Sequence, residues 1–168
     1  MTTEQPQEHV ERLLRVRVPP ETVYTYWVEP DRLLQWQGVE AELDPKPGGI
    51  YRVNVTGRDI TVGEFVEVDP GKRLVFTWGF ERPGHPVPAG STRVEVDFLL
   101  TGDITVVRVR HFGISKQEQL NTAYGWQGYL TRLGLVVAGR DPGPDPMVSP
   151  PPPPQTAPPA ADAEAPAS

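Results

Sequence analysis

Between Pro45 and Trp78 the chain reads PKPGGIYRVNVTGRDITVGEFVEVDPGKRLVFTW, apolar and aromatic runs separated by turn-forming residues. Lys46-Pro47-Gly48-Gly49 and Asp69-Pro70-Gly71-Lys72 each place proline, then glycine, at the centre of a four-residue turn. Proline presets the first central φ and glycine supplies the positive second one, so both read as type II turns. The runs they punctuate, Ile50 to Thr56, Ile60 to Val68 and Leu74 to Phe80, are then successive strands. This punctuation commits the middle of the chain to an antiparallel sheet.

The flanks extend that sheet. Arg12 to Val18 alternates, with Leu14, Val16 and Val18 on one face. Thr92 to Leu100 and Ile104 to Phe112 also alternate around Gly102-Asp103, a two-residue hairpin signal. That loop sets a register in which Asp97 faces Arg108 and Glu95 faces Arg110, with His111 on the opposite, apolar face. A sharper use of these arginines is to reach into a cavity and hold a ligand carboxylate. Glu81 to Ser91, rich in Pro and Gly, reads as a long loop.

Two short helices precede the Pro-Gly stretch. Pro19-Pro20-Glu21 starts one with Val23, Tyr24 and Trp27 inward, and Pro30 opens another through Leu33, Leu34 and Trp36. One long helix, Lys116 to Val137, follows the hairpin, with Leu120, Ala123, Trp126, Leu130, Leu133 and Val137 as its apolar stripe. Gly125, Gly128 and Gly134 are expected to let it approach the sheet closely. The order is strand, two helices, five strands, helix: an α+β fold with a curved antiparallel sheet around the last helix.

From Asp141 onward there are eleven prolines, no Lys or Arg, and four of the chain's 22 acids. Too little apolar surface is available there to offset chain entropy, so residues 139–168 are expected to be a disordered, acidic Pro/Ala-rich tail. Its Pro150 to Pro154 run favours polyproline II and reads as part of a solvated tail, with a docking segment for a protein partner as the alternative. Residues 1–8 are expected to be flexible and 9–138 to form the domain. Without the tail the charge is nearly balanced and no basic patch stands out, which disfavours nucleic acid. Cysteine is absent, which excludes disulfides and thiolate chemistry. With no apolar signal core and no membrane-length apolar run, a cytoplasmic protein is expected, as monomer or homodimer.

The set Pro20-Glu21-x-Val23-Tyr24, Trp36, Pro47-Gly48-Gly49, Gly63-Glu64-Phe65, Glu67-x-Asp69-Pro70 and Arg73 to Trp78 resembles the START/Bet v-type (SRPBCC) superfamily. With Thr92 to Phe98, His111-Phe112-Gly113 and Gly125-Trp126, it is most similar to the AHSA-like family, the activator-of-Hsp-ATPase homologue C-terminal domain. The resemblance spans roughly residues 8 to 138. It implies a helix-grip fold with an elongated cavity for a small hydrophobic or amphipathic ligand. Some superfamily members are cyclases or aromatases. The cochaperone role goes with a separate N-terminal chaperone-binding domain, and none is expected before His9.

Within that frame Phe65, Phe76, Trp78 and Phe98 are expected to line the cavity, although an aromatic face serves a packed core equally well. Tyr124 and Gln127, beside the helix stripe, are either polar groups of the lining or a solvated edge. His111 is either an acid or base inside the cavity or a structural histidine bonding a neighbour. A cyclase-like enzyme requires His111 and Tyr124 to converge. His9, His85 and His111 lie on different elements, so no metal site is expected, and neither is a cofactor. No nucleophile elbow or nucleotide-binding glycine pattern occurs. The residues therefore favour a ligand-binding domain without a catalytic set. A cyclase-like enzyme and a chaperone-associated interaction module are the alternatives.

Overall fold

The computed structural model describes residues 9–148. The expected flexible N-terminus and the Pro150 to Pro154 run lie outside the described residues. Strands β1 (His9–Val16), β2 (Glu40–Leu43), β3 (Ile50–Asn54), β4 (Ile60–Asp69), β5 (Arg73–Trp78), β6 (Thr92–Thr101) and β7 (Ile104–Phe112) form one sheet. Its order is β1-β7-β6-β5-β4-β3-β2, antiparallel at every pairing. Helices α1 (Pro20–Val28) and α2 (Pro30–Leu33) follow β1, and α3 (Lys116–Val137) closes the order. This is the α+β arrangement expected from the element order, and the helix-grip fold that the resemblance implies.

Both Pro-Gly turns form. The Gly49 amide donates to the Lys46 carbonyl at 2.7 Å and Lys72 to Asp69 at 2.9 Å. Gly48 and Gly71 take φ of +84° and +77°, the value a type II turn demands at that position. The β6–β7 register is also the expected one, with Thr101 opposite Ile104, Asp97 opposite Arg108 and Glu95 opposite Arg110.

The sheet has a strand that the sequence reading lacks. β2 is the four-residue segment EAEL at the edge, paired to β3. Two of its residues are glutamates and only Ala41 and Leu43 turn inward, too short an alternation to stand out. The helix stripe also differs from expectation. Leu120 is 84% exposed, and the buried positions of α3 are Trp126, Tyr129, Leu130 and Leu133. Only the C-terminal half of α3 is therefore gripped. Among its glycines, Gly134 is the one in close approach, since a Cβ there would lie 3.1 Å from Leu14 Cδ1. Gly125 and Gly128 face open space.

The core lies between the concave face of the sheet and the helices. Val53, Phe65, Phe76, Val94, Val96, Phe98, Val107 and Val109 pack under Val23, Trp27, Trp36, Leu130 and Leu133. On the convex face the anticipated cross-strand pairs merge into one network centred on Arg73. Its guanidinium donates to Asp97 at 2.9 Å, to Glu95 at 3.0 Å and to Glu67 at 3.2 Å. Arg108 and Arg110 also reach Asp97, and Arg93 reaches Glu95. These arginines serve one another's acids on the outside of the sheet, not a ligand carboxylate inside it.

Candidate functional site

Three of the residues expected to line a cavity instead build the core. Phe76 stacks on Tyr51 at 4.2 Å and meets Phe65 edge-on at 6.0 Å, while Phe98 packs against Tyr24 and Trp27. All three are at most 4% exposed. The aromatic face of β5 divides along its length: Phe76 belongs to the core, whereas Trp78 and the following Phe80 open onto space. Both are half-buried, whereas Phe76 is 1% exposed.

That space is a cavity of about 260 Å³, lined by Trp78, Phe80, Val87, Trp126 and Tyr129, with Gln37, Asp59, His85, Glu118 and Met147 around it. The segment read as a long loop supplies one wall. Phe80 donates its amide to Val87 at 2.7 Å and Gly90 donates to Val62 at 3.0 Å, which folds the loop back on the sheet. Gly79 permits this: a Cβ at that position would stand 1.6 Å from the Pro88 carbonyl oxygen. Phe80 then stacks on His85 at 4.0 Å and meets Trp78 edge-on at 5.0 Å.

His111 stands behind this wall, fully buried. Its Nδ1 accepts from Trp126 Nε1 at 3.0 Å, so the ring proton sits on Nε2 and is donated to Thr92 Oγ1 at 2.9 Å. Thr92 passes its own proton to the Trp78 carbonyl at 2.6 Å. Both ring nitrogens are thus committed, and burial lowers the His111 pKa to about 3. This histidine braces Trp78 and Trp126. Tyr124 is 73% exposed and does not converge on it. With Gln127, Tyr124 lines a neighbouring hollow of about 320 Å³ between α3 and residues 142–147. Both lie on the helix flank turned away from Trp126.

Several lining residues were not singled out from the sequence. Tyr129 follows Trp126 at helical spacing, a readable signal. Gln37, His85, Glu118 and Met147 carried none, because only tertiary folding brings them together. Gln37 and Tyr129 are 7% and 6% exposed; Gln37 Oε1 has no hydrogen-bond partner among the described residues, whereas the Tyr129 hydroxyl faces the Asp145 carboxylate. Asp145 approaches Tyr129 from the segment after α3, and burial first, then its charge, raises the tyrosine pKa. Arg132 anchors that segment through the carbonyls of Pro142 and Gly143, and also holds the carbonyl of Trp36. The first residues of the expected tail, 139–148, therefore run back along α3 as a strap that brings Met147 to the cavity.

At the mouth, His85 Nδ1 accepts from the Val87 amide at 2.9 Å, which leaves Nε2 as a donor. Burial and then Arg82 hold its pKa below the ordinary imidazole value, against the pull of Asp59 and Glu118. Glu118 has no ion-pair partner among the described residues, whereas Asp59 has Arg82 at 3.7 Å. Among the described residues no three His, Asp or Glu side chains are grouped to hold a metal. No helix among them is long and apolar enough to cross a membrane.

A sheet gripping a C-terminal helix, with an aromatic-walled cavity at its open end, defines a helix-grip domain of the START/Bet v type. The profile of the family described as activator of Hsp90 ATPase homolog 1-like protein matches residues 17–138, and the chain belongs to that family. An AHSA1-like protein from Rhizobium etli is 40% identical over 90% of this chain and 95% of its own, with a TM-score of 0.67. DynU16, from the dynemicin biosynthetic locus, is 23% identical over 82% of this chain, with a TM-score of 0.70. This chain spans 50% of the DynU16 chain. The Aha1 dimer from Colwellia psychrerythraea is 15% identical over 76% of this chain and 93% of its own, with a TM-score of 0.66. The last two likenesses speak for the fold alone. No curated protein matches the chain.

Proposed function

We propose that this domain binds a small, ring-bearing apolar or amphipathic molecule in the cavity between Trp78, Phe80 and Trp126. The observation that carries the reading is an aromatic-walled space in which a buried polar atom, Gln37 Oε1, lacks a partner among the described residues. A buried polar atom left unpaired costs roughly 1–3 kcal/mol, a cost that a bound molecule with matching groups removes. At about 260 Å³ the space lies just below the roughly 300–1,000 Å³ of drug-sized sites, which suits a ligand of two or three fused rings.

The function proposed is binding. Both ring nitrogens of His111, the expected acid or base, are engaged by Thr92 and Trp126. Of the residues nominated from the sequence, Trp78 stands in the proposed site. Phe65, Phe76 and Phe98 support it from the core. The setting proposed is the cytoplasm, where a chain without cysteine needs no disulfide. Thermal-shift and native mass-spectrometry screening against fused-ring aromatics, polyketides and lipids tests the binding. A one-to-one adduct that raises the melting temperature is expected for fused-ring compounds. Stabilisation by none of the three classes contradicts the proposal.

A further inference from the structure

Every polar side chain that lines the cavity is anionic or neutral, and a nearby cation, Arg82, is held by Asp59 at 3.7 Å. Asp59 and Glu118 line it, and no Lys or Arg does. Its histidine, His85, accepts a hydrogen bond from the Val87 amide on Nδ1, and burial disfavours its charged form. Inside, the buried Gln37 Oε1 has no partner among the described residues and can only accept. The apolar walls add to this, because the faces of Trp78, Phe80, Trp126 and Tyr129 carry the negative lobes of their quadrupoles and attract cations. Four separate features thus have one sign: carboxylates at the mouth, an unpaired acceptor inside, aromatic rings on the walls and no lining cation.

Resting on the binding function proposed above, we infer that the cavity selects an organic cation, an amine attached to an aromatic ring system, and discriminates against carboxylates of the same shape. The rings lie among Trp78, Phe80 and Trp126, where stacking and edge contacts are available. The ammonium points toward Glu118, the mouth carboxylate without an ion-pair partner. An N–H of the ligand supplies what Gln37 Oε1 lacks. A carboxylate in the same pose would face Glu118 and Asp59 and meet no donor of opposite charge.

Three molecules that share a naphthalene ring separate charge from shape: 2-naphthylmethylamine, 2-naphthalenemethanol and 2-naphthoic acid. Their affinities for the full chain are read by isothermal titration calorimetry at pH 7. The amine is expected to bind about tenfold tighter than the alcohol and the acid weakest, a spread in keeping with one partly buried ion pair plus cation–π attraction. Glu118→Gln is expected to narrow the amine-over-alcohol ratio about threefold or more, and the alcohol's measured affinity in the same variant reports that the cavity is intact. Equal binding of all three, or preference for the acid, overturns the charge selection while leaving ligand binding in place. Failure of all three to bind overturns both. An unchanged ratio in Glu118→Gln removes Glu118 as the cation's partner and overturns the assignment.

Discussion

The indole N–H of Trp126 donates to Nδ1 of His111 across 3.0 Å, joining the gripped helix to the innermost face of the sheet. The bond dictates the histidine tautomer and continues through Thr92 to the Trp78 carbonyl. Two cavity walls, one from α3 and one from β5, are thereby held by one buried chain of hydrogen bonds.

His111→Leu is expected to lower stability by about 2–4 kcal/mol, because it leaves the Trp126 N–H buried and unpaired. Urea denaturation checks the magnitude. Loss of ligand binding beyond the loss of stability is expected too, since Trp78 and Trp126 lose their common brace.

The same residue gives a pH signature. Folded His111 has its pKa lowered to about 3, whereas the unfolded side chain titrates near 6.5. Between those values the unfolded chain binds more protons, so stability rises with pH and is lost as pH falls from about 6.5 toward 3. The slope from this group is at most about 1.4 kcal/mol per pH unit. Denaturation curves at stepped pH should show it in the native chain and show a shallower slope in His111→Gln.

Arg73→Met is expected to cost about 2–4 kcal/mol, because Asp97 and Glu95, both 7% exposed, lose their shared partner. Burial alone would raise the Asp97 carboxyl, but hydrogen bonds from Arg73 and Arg108 overcome it and hold the pKa below the ordinary value. Stability from this depressed carboxyl is present above about pH 3.9 and is lost as pH falls through its folded value. Acid unfolding followed by circular dichroism should therefore begin at higher pH in the variant.

Two glycines separate packing from propensity. Gly79→Ala puts a Cβ at 1.6 Å from the Pro88 oxygen, so the 80–88 wall must move, and stability and binding should both fall. Gly128→Ala meets nothing within 4 Å on an exposed helix face and should gain about 0.5–1 kcal/mol. Melting temperatures of the two variants, shifted in opposite directions, check the pair.

The legible parts of the fold were those written in local chemistry. Pro47-Gly48 and Pro70-Gly71 dictate their turns, Gly102-Asp103 sets the β6–β7 register, and alternation reveals the long strands. β2 escaped because four residues with two glutamates carry little periodicity. Phe65, Phe76 and Phe98, expected to line the cavity, lie in the core, because periodicity says which way a side chain points and not whether anything fills the space before it. Whether an aromatic face is core or cavity depends on where α3 leaves the sheet. Leu120 illustrates the point: it lies on the stripe but beyond the reach of the sheet, and is exposed. The mouth, formed by Gln37, Asp59, His85 and Glu118, joins segments far apart in sequence and has no local signature.

The central claim, that the space between Trp78 and Trp126 is a ligand site, is tested most directly by following the tryptophan indole resonances by NMR during titration with 2-naphthalenemethanol. The account predicts saturable shifts for Trp78 and Trp126, which line the cavity, with Trp36, fully buried and bonded to the Tyr26 carbonyl, left in place. Unmoved Trp78 and Trp126 signals at saturating concentration, or equal movement of Trp36, would contradict it.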